Sequence, residues 1–251
     1  MVFSLGLLLG LLAVCSFAPG FYFVRKFRWG PAEKLTGAVA LSLILVYLAA
    51  WGIYCLVPGG MSRGACAAVS AVSLALGILA HRDIVRLFRA MRVRRIAIGF
   101  GFLLVWTLLF LAMIRHYSGL GWGADWLEHF QRTLFFLHRL PIGTPILSEY
   151  QLPSRPPMMN VLGAFFLAQT GDSFALLQVA FTFLNVLLFL PCCLMLPALG
   201  LSRRPRVLPL VVLFAVSPVI FENASYLWTK SLAAFFVVVA LWFYVLSLIH
   251  I

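Results

Sequence analysis

The chain has 251 residues, of which 63% are hydrophobic and only 10% are charged, and its mean hydropathy is +1.05. A water-soluble domain cannot bury that much apolar surface, so the composition excludes a soluble globular protein and predicts an all-α polytopic membrane protein in a lipid bilayer. The net charge of +12 comes from short basic loops between apolar runs, which argues against nucleic acid as a partner.

Apolar runs of about 20 residues, the length that crosses the hydrocarbon core of a bilayer, recur along the chain. They cover residues 2–24, 35–57, 61–80, 96–114 and 174–199, and residues 207–249 form two further runs that divide near the polar segment 222–225. We therefore expect about seven transmembrane helices. The third is the weakest, because Arg63 and several small residues dilute its apolar character.

The basic residues indicate how these spans are oriented. Loops 25–34, 81–95 and 202–206 hold thirteen of the 19 Lys and Arg residues. Basic loops mark the cytoplasmic side, so the N-terminus and the long loop 115–156 are expected outside. In segment 81–95 arginines alternate with apolar residues, and we expect it to lie along the cytoplasmic face against anionic lipid.

The second half of the chain departs twice from simple apolar spans. Residues 157–170 are apolar but too short to cross the bilayer, and we expect them to form a helix that lies at the outer surface or dips into it. Gln178 and Asn185 are seven residues apart and share one face of span 174–199. We expect both amides to hydrogen-bond a neighbouring helix.

Three of the seven acidic residues fall in loop 115–156, where a polar stretch has helical periodicity. At 100° per residue, one face of a helix over 124–139 carries Asp125, Glu128, His129, Arg132 and Arg139. Apolar residues take the other side, which predicts an amphipathic interfacial helix with its ionisable groups towards water. One interpretation is purely structural, with Glu128 and Arg132 pairing at i,i+4 to stabilise this helix.

A second interpretation is chemical. The acidic residues are followed by Arg155-Pro156-Pro157, where two prolines fix the backbone beside an arginine that can bind phosphate. An acidic group that serves as a base or metal ligand, next to a cation for a phosphate leaving group, is typical of a transferase that acts on a lipid phosphate.

Three motifs follow one another in this part of the chain. An acidic motif spans 125–129, an Arg-Pro-Pro-Met-Met-Asn motif spans 155–160 at the head of a short apolar helix, and Trp228-Thr229-Lys230 opens a helix on the outer face. Their order over residues 96–249 resembles the membrane glycosyltransferases of the GT-C fold, whose bacterial members include the aminoarabinose and protein mannosyl transferases. The resemblance implies an enzyme of the bacterial inner membrane. It would transfer a sugar from a polyprenyl-phosphate carrier to an acceptor at the outer face.

The resemblance also implies a division of the chain. Residues 96–251 would form an incomplete GT-C-like core, and residues 1–95 would add three N-terminal spans and the basic cytoplasmic segment. The family's later spans and outer soluble domain are missing, and the sequence stops at Ile251 directly after an apolar run. We therefore expect a fragment of a longer protein.

The acidic motif would then carry the chemistry. Asp125 would be the general base towards an acceptor hydroxyl, and Glu128 would support it. If the enzyme depends on metal, both would bind Mg²⁺ or Mn²⁺, which prefer oxygen ligands. His129 would help to orient the donor. Many family members have adjacent acidic residues, whereas here the two are three residues apart.

The cations would hold the carrier. Arg155 and Lys230 would bind the phosphate of the lipid donor. Arg132 would do the same, or would only pair with Glu128.

Two other function classes stay open. A transporter or flippase for a lipid-linked or small anionic substrate would also need many helices and outer-face cations. A non-catalytic membrane scaffold would keep its function without Asp125 or Arg155.

Overall fold

The computed structural model describes residues 2–114, 120–147, 157–197 and 206–249, and within them the side chains of 120–125, 248 and 249 lie outside the description. The described chain is helical, without a strand. Its helices in chain order are α1 (Val2–Cys15), α2 (Ala18–Val24), α3 (Pro31–Leu56), α4 (Arg63–Leu79), α5 (His81–Arg89), α6 (Met91–Met113), α7 (Leu120–His138), α8 (Met158–Thr170), α9 (Phe174–Val186), α10 (Phe189–Met195), α11 (Leu208–Val216), α12 (Pro218–Ser225) and α13 (Lys230–Ile249).

Within the described ranges, 5 helical segments are long and apolar enough to cross a membrane, and the count rises to 7 if each of two bent pairs is one span. The five are Val2–Val24, Pro31–Leu56, Met91–Met113, Phe174–Met195 and Lys230–Ser247. The bent pairs are α4 with α5, at 67°, and α11 with α12, at 73°. This confirms a multi-pass membrane protein, and the expected seven spans require both bent pairs to count.

Proline explains the break between α11 and α12. Pro218 is the first residue of α12, and Ser217 before it is extended, with φ −70° and ψ 116°. A residue that precedes proline is pushed out of the helical region, so α11 must end there. The polar segment near 222–225 therefore lies inside α12, and the division between the last two spans falls at residues 226–229.

Contacts gather the basic segments at one end of the bundle, which we call the basic end. Arg25 is 3.7 Å from Asp83, and Lys34 Nζ donates to the carbonyl oxygen of Arg25 at 2.8 Å. Arg92 Nη2 donates to the carbonyl oxygen of Cys193, at the end of α10, at 3.2 Å. This agrees with the expectation that loops 25–34 and 81–95 share a side, while residues 202–205 of the third basic loop lie outside the description. Which membrane face it is stays a prediction.

The C-terminus of α7 lies at the opposite end. Arg139 Nη1 donates to the carbonyl oxygen of Val57 at 2.9 Å, and the Met61 amide donates to the carbonyl oxygen of Leu137 at 3.3 Å. Since α3 runs from the basic end at Pro31 to Leu56, these contacts place residues 137–139 at the far end.

Helix α8 is enclosed by other helices, so it does not lie exposed on the surface of the protein, and its expected position at or just below the outer membrane face stays a prediction. Ten of its 13 residues are buried, and it packs on α1, α3, α4, α7 and α9. A helix that is apolar all round needs apolar neighbours on every side, and here protein supplies them, so its length need not match the bilayer. Gly163 allows the close packing, because a Cβ there would lie 2.8 Å from Leu177 Cδ1 and 2.9 Å from Phe181 Cε1.

Candidate functional site

The polar face of α7 points into the protein. Glu128 is 1% exposed and His129 and Arg132 are each 2% exposed, whereas Leu127 is 45% exposed. The expectation that the ionisable groups of this helix face water is therefore wrong for these three residues. Helix α8 packs against that face and excludes water from it.

Glu128 and Arg132 form a buried ion pair. Arg132 Nε donates to Glu128 Oε1 at 2.8 Å. This confirms the expected i,i+4 pairing. The pair is buried in protein, where losing one partner costs more free energy than on the expected water-exposed face. A single charge buried among apolar side chains costs several kcal/mol, so each of these two groups needs its partner.

Asn160 of α8 ties the second motif to the first. Its Nδ2 donates to the carbonyl oxygen of His129 at 2.9 Å and to Thr133 Oγ1 at 3.2 Å. Its amide also lies 3.4 Å from His129 Nδ1. Thr133 Oγ1 donates to the His129 carbonyl oxygen at 2.8 Å, which completes a small buried network. Asn160 carries the only side-chain amide between residues 158 and 168, and that was the sequence signal for its role.

A series of aromatic rings links the third motif to the first. Lys230 Nζ lies 3.9 Å from the centre of the Trp228 ring. Trp228 stacks on Tyr226 with ring centres 4.9 Å apart, and Tyr226 lies 4.4 Å from Trp126. Trp126 directly follows Asp125 in α7. Lys230 is exposed at the start of α13, so the structure brings it to this region but not into the buried network.

Two amides of α9 hold the non-helical segment that carries these rings. Asn185 Nδ2 donates to the carbonyl oxygens of Tyr226, at 3.2 Å, and Trp228, at 2.9 Å. Gln178 Nε2 donates to the carbonyl oxygen of Ser225 at 2.6 Å. The expected hydrogen bonds from Gln178 and Asn185 are confirmed. Their partners are backbone carbonyls that a broken helix leaves without intrahelical donors.

Two of the expected site residues fall outside the described part of the chain. Asp125 lies in α7, one turn before Glu128, but its side chain is outside the description, and Arg155 is outside it altogether. The described side chains place Glu128, His129 and Arg132 together under α8 and bring Lys230 near the same helix through Trp228, Tyr226 and Trp126.

The described side chains do not fit an Mg²⁺ or Mn²⁺ site. No group of three His, Cys, Asp or Glu side chains converges among them. The Glu128 carboxylate already accepts from a guanidinium 2.8 Å away, and His129 is a nitrogen donor that these ions disfavour. The other expected ligand, the Asp125 carboxylate, lies outside the described side chains.

Comparison with protein-family models, with curated proteins and with solved structures gives no match for this chain. The segments that converge in the described chain are 126–133, 158–160 and 226–230. They combine a buried ion pair, an amide network and an exposed ammonium group beside stacked aromatic rings.

Proposed function

We propose that the chain belongs to a membrane glycosyltransferase of the GT-C type. It moves a sugar from a polyprenyl-phosphate carrier to an acceptor at the outer face of a bacterial inner membrane. The observation that carries this proposal is the convergence of the three motifs, made by Asn160 on the backbone of His129 and by Tyr226 on Trp126. The motifs are up to a hundred residues apart in sequence, so only the fold brings them together.

The proposed reaction divides the roles among these segments. Asp125 takes the proton from an acceptor hydroxyl, and the oxygen of that hydroxyl attacks the anomeric carbon of the donor sugar. The bond from that carbon to the phosphate oxygen breaks, and polyprenyl phosphate leaves with the electron pair. Arg155 and Lys230 bind the phosphate and stabilise the charge that develops on it.

Glu128 and Arg132 act in this proposal as positioning residues. Each is almost completely buried and paired with the other, and burial keeps both away from a substrate in water. Their pairing holds the rotation of α7 about its axis at a point one turn after Asp125, and this positions Asp125. Ionisable groups buried within a membrane protein mark functional sites by default, because they are costly to keep for stability alone.

The proposal is tested by sugar transfer in membranes that contain the chain, with radiolabelled polyprenyl-phosphate-linked hexoses and pentoses as donors. Asp125→Asn removes the base but keeps the size of the side chain, so transfer should be lost while membrane insertion stays normal. The matched control is Asp172→Asn, because Asp172 is 65% exposed and contacts only the exposed His138 at 3.6 Å among the described side chains. Normal transfer by Asp125→Asn would contradict the site.

The cations are tested separately through the donor. Arg155→Ala and Lys230→Met should each raise the KM for the polyprenyl-phosphate donor more than the KM for the acceptor. Arg63→Ala is the control, because Arg63 begins α4 and lies outside the three converging segments. A donor KM that stays at the wild-type value in both variants would rule out the phosphate role.

A second candidate is a transporter or flippase for a lipid-linked or small anionic substrate. It is favoured by the break between α12 and α13, where backbone carbonyls of a non-helical segment accept hydrogen bonds from the side chain of Asn185 in α9. Broken helices of this kind form the substrate sites of many transporters. In proteoliposomes, movement of a lipid-linked sugar between leaflets without sugar transfer would favour this function. A scaffold would show neither activity.

A further inference from the structure

A groove at the basic end of the bundle lies apart from the converging motifs. It runs between α6 and α11 and has a volume of about 570 Å³. Its lining includes two arginines and four apolar residues, namely Arg95, Arg206, Ile98, Phe102, Leu208 and Val211. Its size is within the range of small-molecule and cofactor sites, about 300–1,000 Å³.

The groove has a charged end and an apolar end. Arg95, Ile98 and Phe102 are spaced at i, i+3 and i+7, so they share one face of α6. With a rise of 1.5 Å per residue, this face extends about 10 Å from Arg95 towards the middle of the helix. Arg206 lies two residues before α11 and therefore stands at the same end as Arg95.

The apolar part of the groove is open and has a tightly packed floor. Ile98 is 67% exposed, Phe102 is 50% exposed and Leu208 is 69% exposed, so the walls face out of the protein. Gly99 lies between α6 and its neighbours, and a Cβ there would come within 2.9 Å of Val211 Cγ2 and 3.0 Å of Phe189 Cζ. The absence of a side chain at Gly99 lets the helices meet at the floor while the bulkier residues form the rim.

The charge of the groove is uncompensated within the described chain. Neither Arg95 nor Arg206 has an ion pair there, and no carboxylate lines the groove. Two guanidinium groups can bind a phosphate through parallel hydrogen bonds. The adjoining apolar walls favour a phosphate that is attached to a hydrocarbon chain.

We propose that this groove binds one anionic phospholipid of the bilayer. Its headgroup phosphate contacts Arg95 and Arg206, and an acyl chain lies along Ile98, Phe102 and Leu208. A net-neutral phospholipid carries an ammonium group that offsets its phosphate and is repelled by the two arginines, and a free phosphate would make no contact with the apolar walls. Basic sites between transmembrane helices are suited to such headgroups. The site lies at the basic end, so it does not depend on the proposed glycosyl transfer.

The test is native mass spectrometry of the purified chain titrated with phosphatidylglycerol, and with phosphatidylcholine of the same acyl chains. Wild-type protein should retain one phosphatidylglycerol in preference to phosphatidylcholine. The double variant Arg95→Gln/Arg206→Gln should bind phosphatidylglycerol roughly tenfold more weakly or worse, because charge-assisted hydrogen bonds are lost at both positions. Ile98→Trp fills the channel with both arginines in place and should also weaken binding.

The matched control is Arg82→Gln/Arg94→Gln. It removes the same charge from exposed positions of the same basic surface that do not line the groove. It should bind phosphatidylglycerol like the wild type. If both double variants lose the same amount of phosphatidylglycerol binding, the lipid is attracted by the basic surface as a whole and not by this groove, which would contradict the proposal. Wild-type binding by Ile98→Trp, or equal binding of glycerol phosphate and phosphatidylglycerol, would show that the apolar channel has no part.

Discussion

Arg132 Nε donates to Glu128 Oε1 at 2.8 Å, and both side chains are at least 98% buried. The pair lies on the face of α7 that meets α8, next to the network of His129, Thr133 and Asn160. Two opposite charges taken out of water together are tolerable, but either alone is not. The pair therefore makes the packing of α7 on α8 depend on two residues at once.

Removing one partner should be far more damaging than removing both. Arg132→Met removes the guanidinium that lies 2.8 Å from the buried Glu128 carboxylate, and we expect the free energy of unfolding to fall by about 3–5 kcal/mol. Glu128→Leu/Arg132→Met replaces the pair with apolar side chains of similar size and should recover most of that loss. Thermal unfolding of the detergent-solubilised protein, followed by tryptophan fluorescence, measures both.

The control is an exposed pair with similar spacing. Arg86 and Asp83 are 3.7 Å apart, with 84% and 42% of their side chains exposed. Arg86→Met should change the free energy of unfolding by less than about 1 kcal/mol, because water replaces an exposed partner. If Arg132→Met destabilises the protein no more than Arg86→Met does, then Glu128 is not buried as described.

The apolar helical segments could be predicted from the sequence because length and apolarity define them, but the bends that leave the count between 5 and 7 could not. The orientation of α7 could not. Its periodicity shows that Glu128, His129 and Arg132 share a face, and that much is correct. It does not show whether water or protein covers that face. The apolar run 158–168 looked like a surface helix because it is too short for a bilayer, but its neighbours are other helices.

The contacts of the site also fall into those that the sequence predicts and those that only the fold shows. Glu128 and Arg132 are one helical turn apart, so their pairing follows from local geometry. Asn160 meets His129 across 31 residues of sequence, and Tyr226 meets Trp126 across a hundred. No periodicity carries that information, because these contacts depend on how α7, α8 and α12 pack. For Asn185 the sequence indicates only that a polar amide in an apolar span must find hydrogen-bond partners. The fold shows that these partners are the carbonyl oxygens of Tyr226 and Trp228.

Asn185 should control the segment that leads to Lys230. Asn185→Leu removes the donors to the carbonyls of Tyr226 and Trp228, and we expect a loss of about 1–2 kcal/mol in the free energy of unfolding. Cleavage by added protease within residues 226–229 should become faster at the same time. Asn223→Leu is the control, because Asn223 donates at 2.8 Å only within its own helix, to the carbonyl oxygen of Val219. Equal protease sensitivity of the two variants would mean that α9 does not hold this segment.

The crossing of α2 and α3 offers a test of the fold that is independent of the site. Gly20 lies so close to α3 that an added Cβ would collide with the carbonyl oxygen of Ala38 and come within 2.7 Å of the Ser42 backbone nitrogen. Its amide also donates to Ser42 Oγ at 2.7 Å. Because backbone atoms cannot move aside as a flexible side chain can, Gly20→Ala must push the two helices apart. We expect it to cost at least about 1–3 kcal/mol, the usual penalty of overpacking.

Gly10→Ala is the matched substitution on α1. No heavy atom lies within 4 Å of a Cβ at Gly10, so the new methyl group meets open space. Alanine is favoured over glycine within a helix by about 1 kcal/mol, so this variant should unfold at the same or a higher temperature than the wild type. The two variants make the same chemical change and should therefore shift the unfolding midpoint in opposite directions. If Gly10→Ala loses as much stability as Gly20→Ala, then close packing between α2 and α3 is not the reason why Gly20→Ala is destabilised.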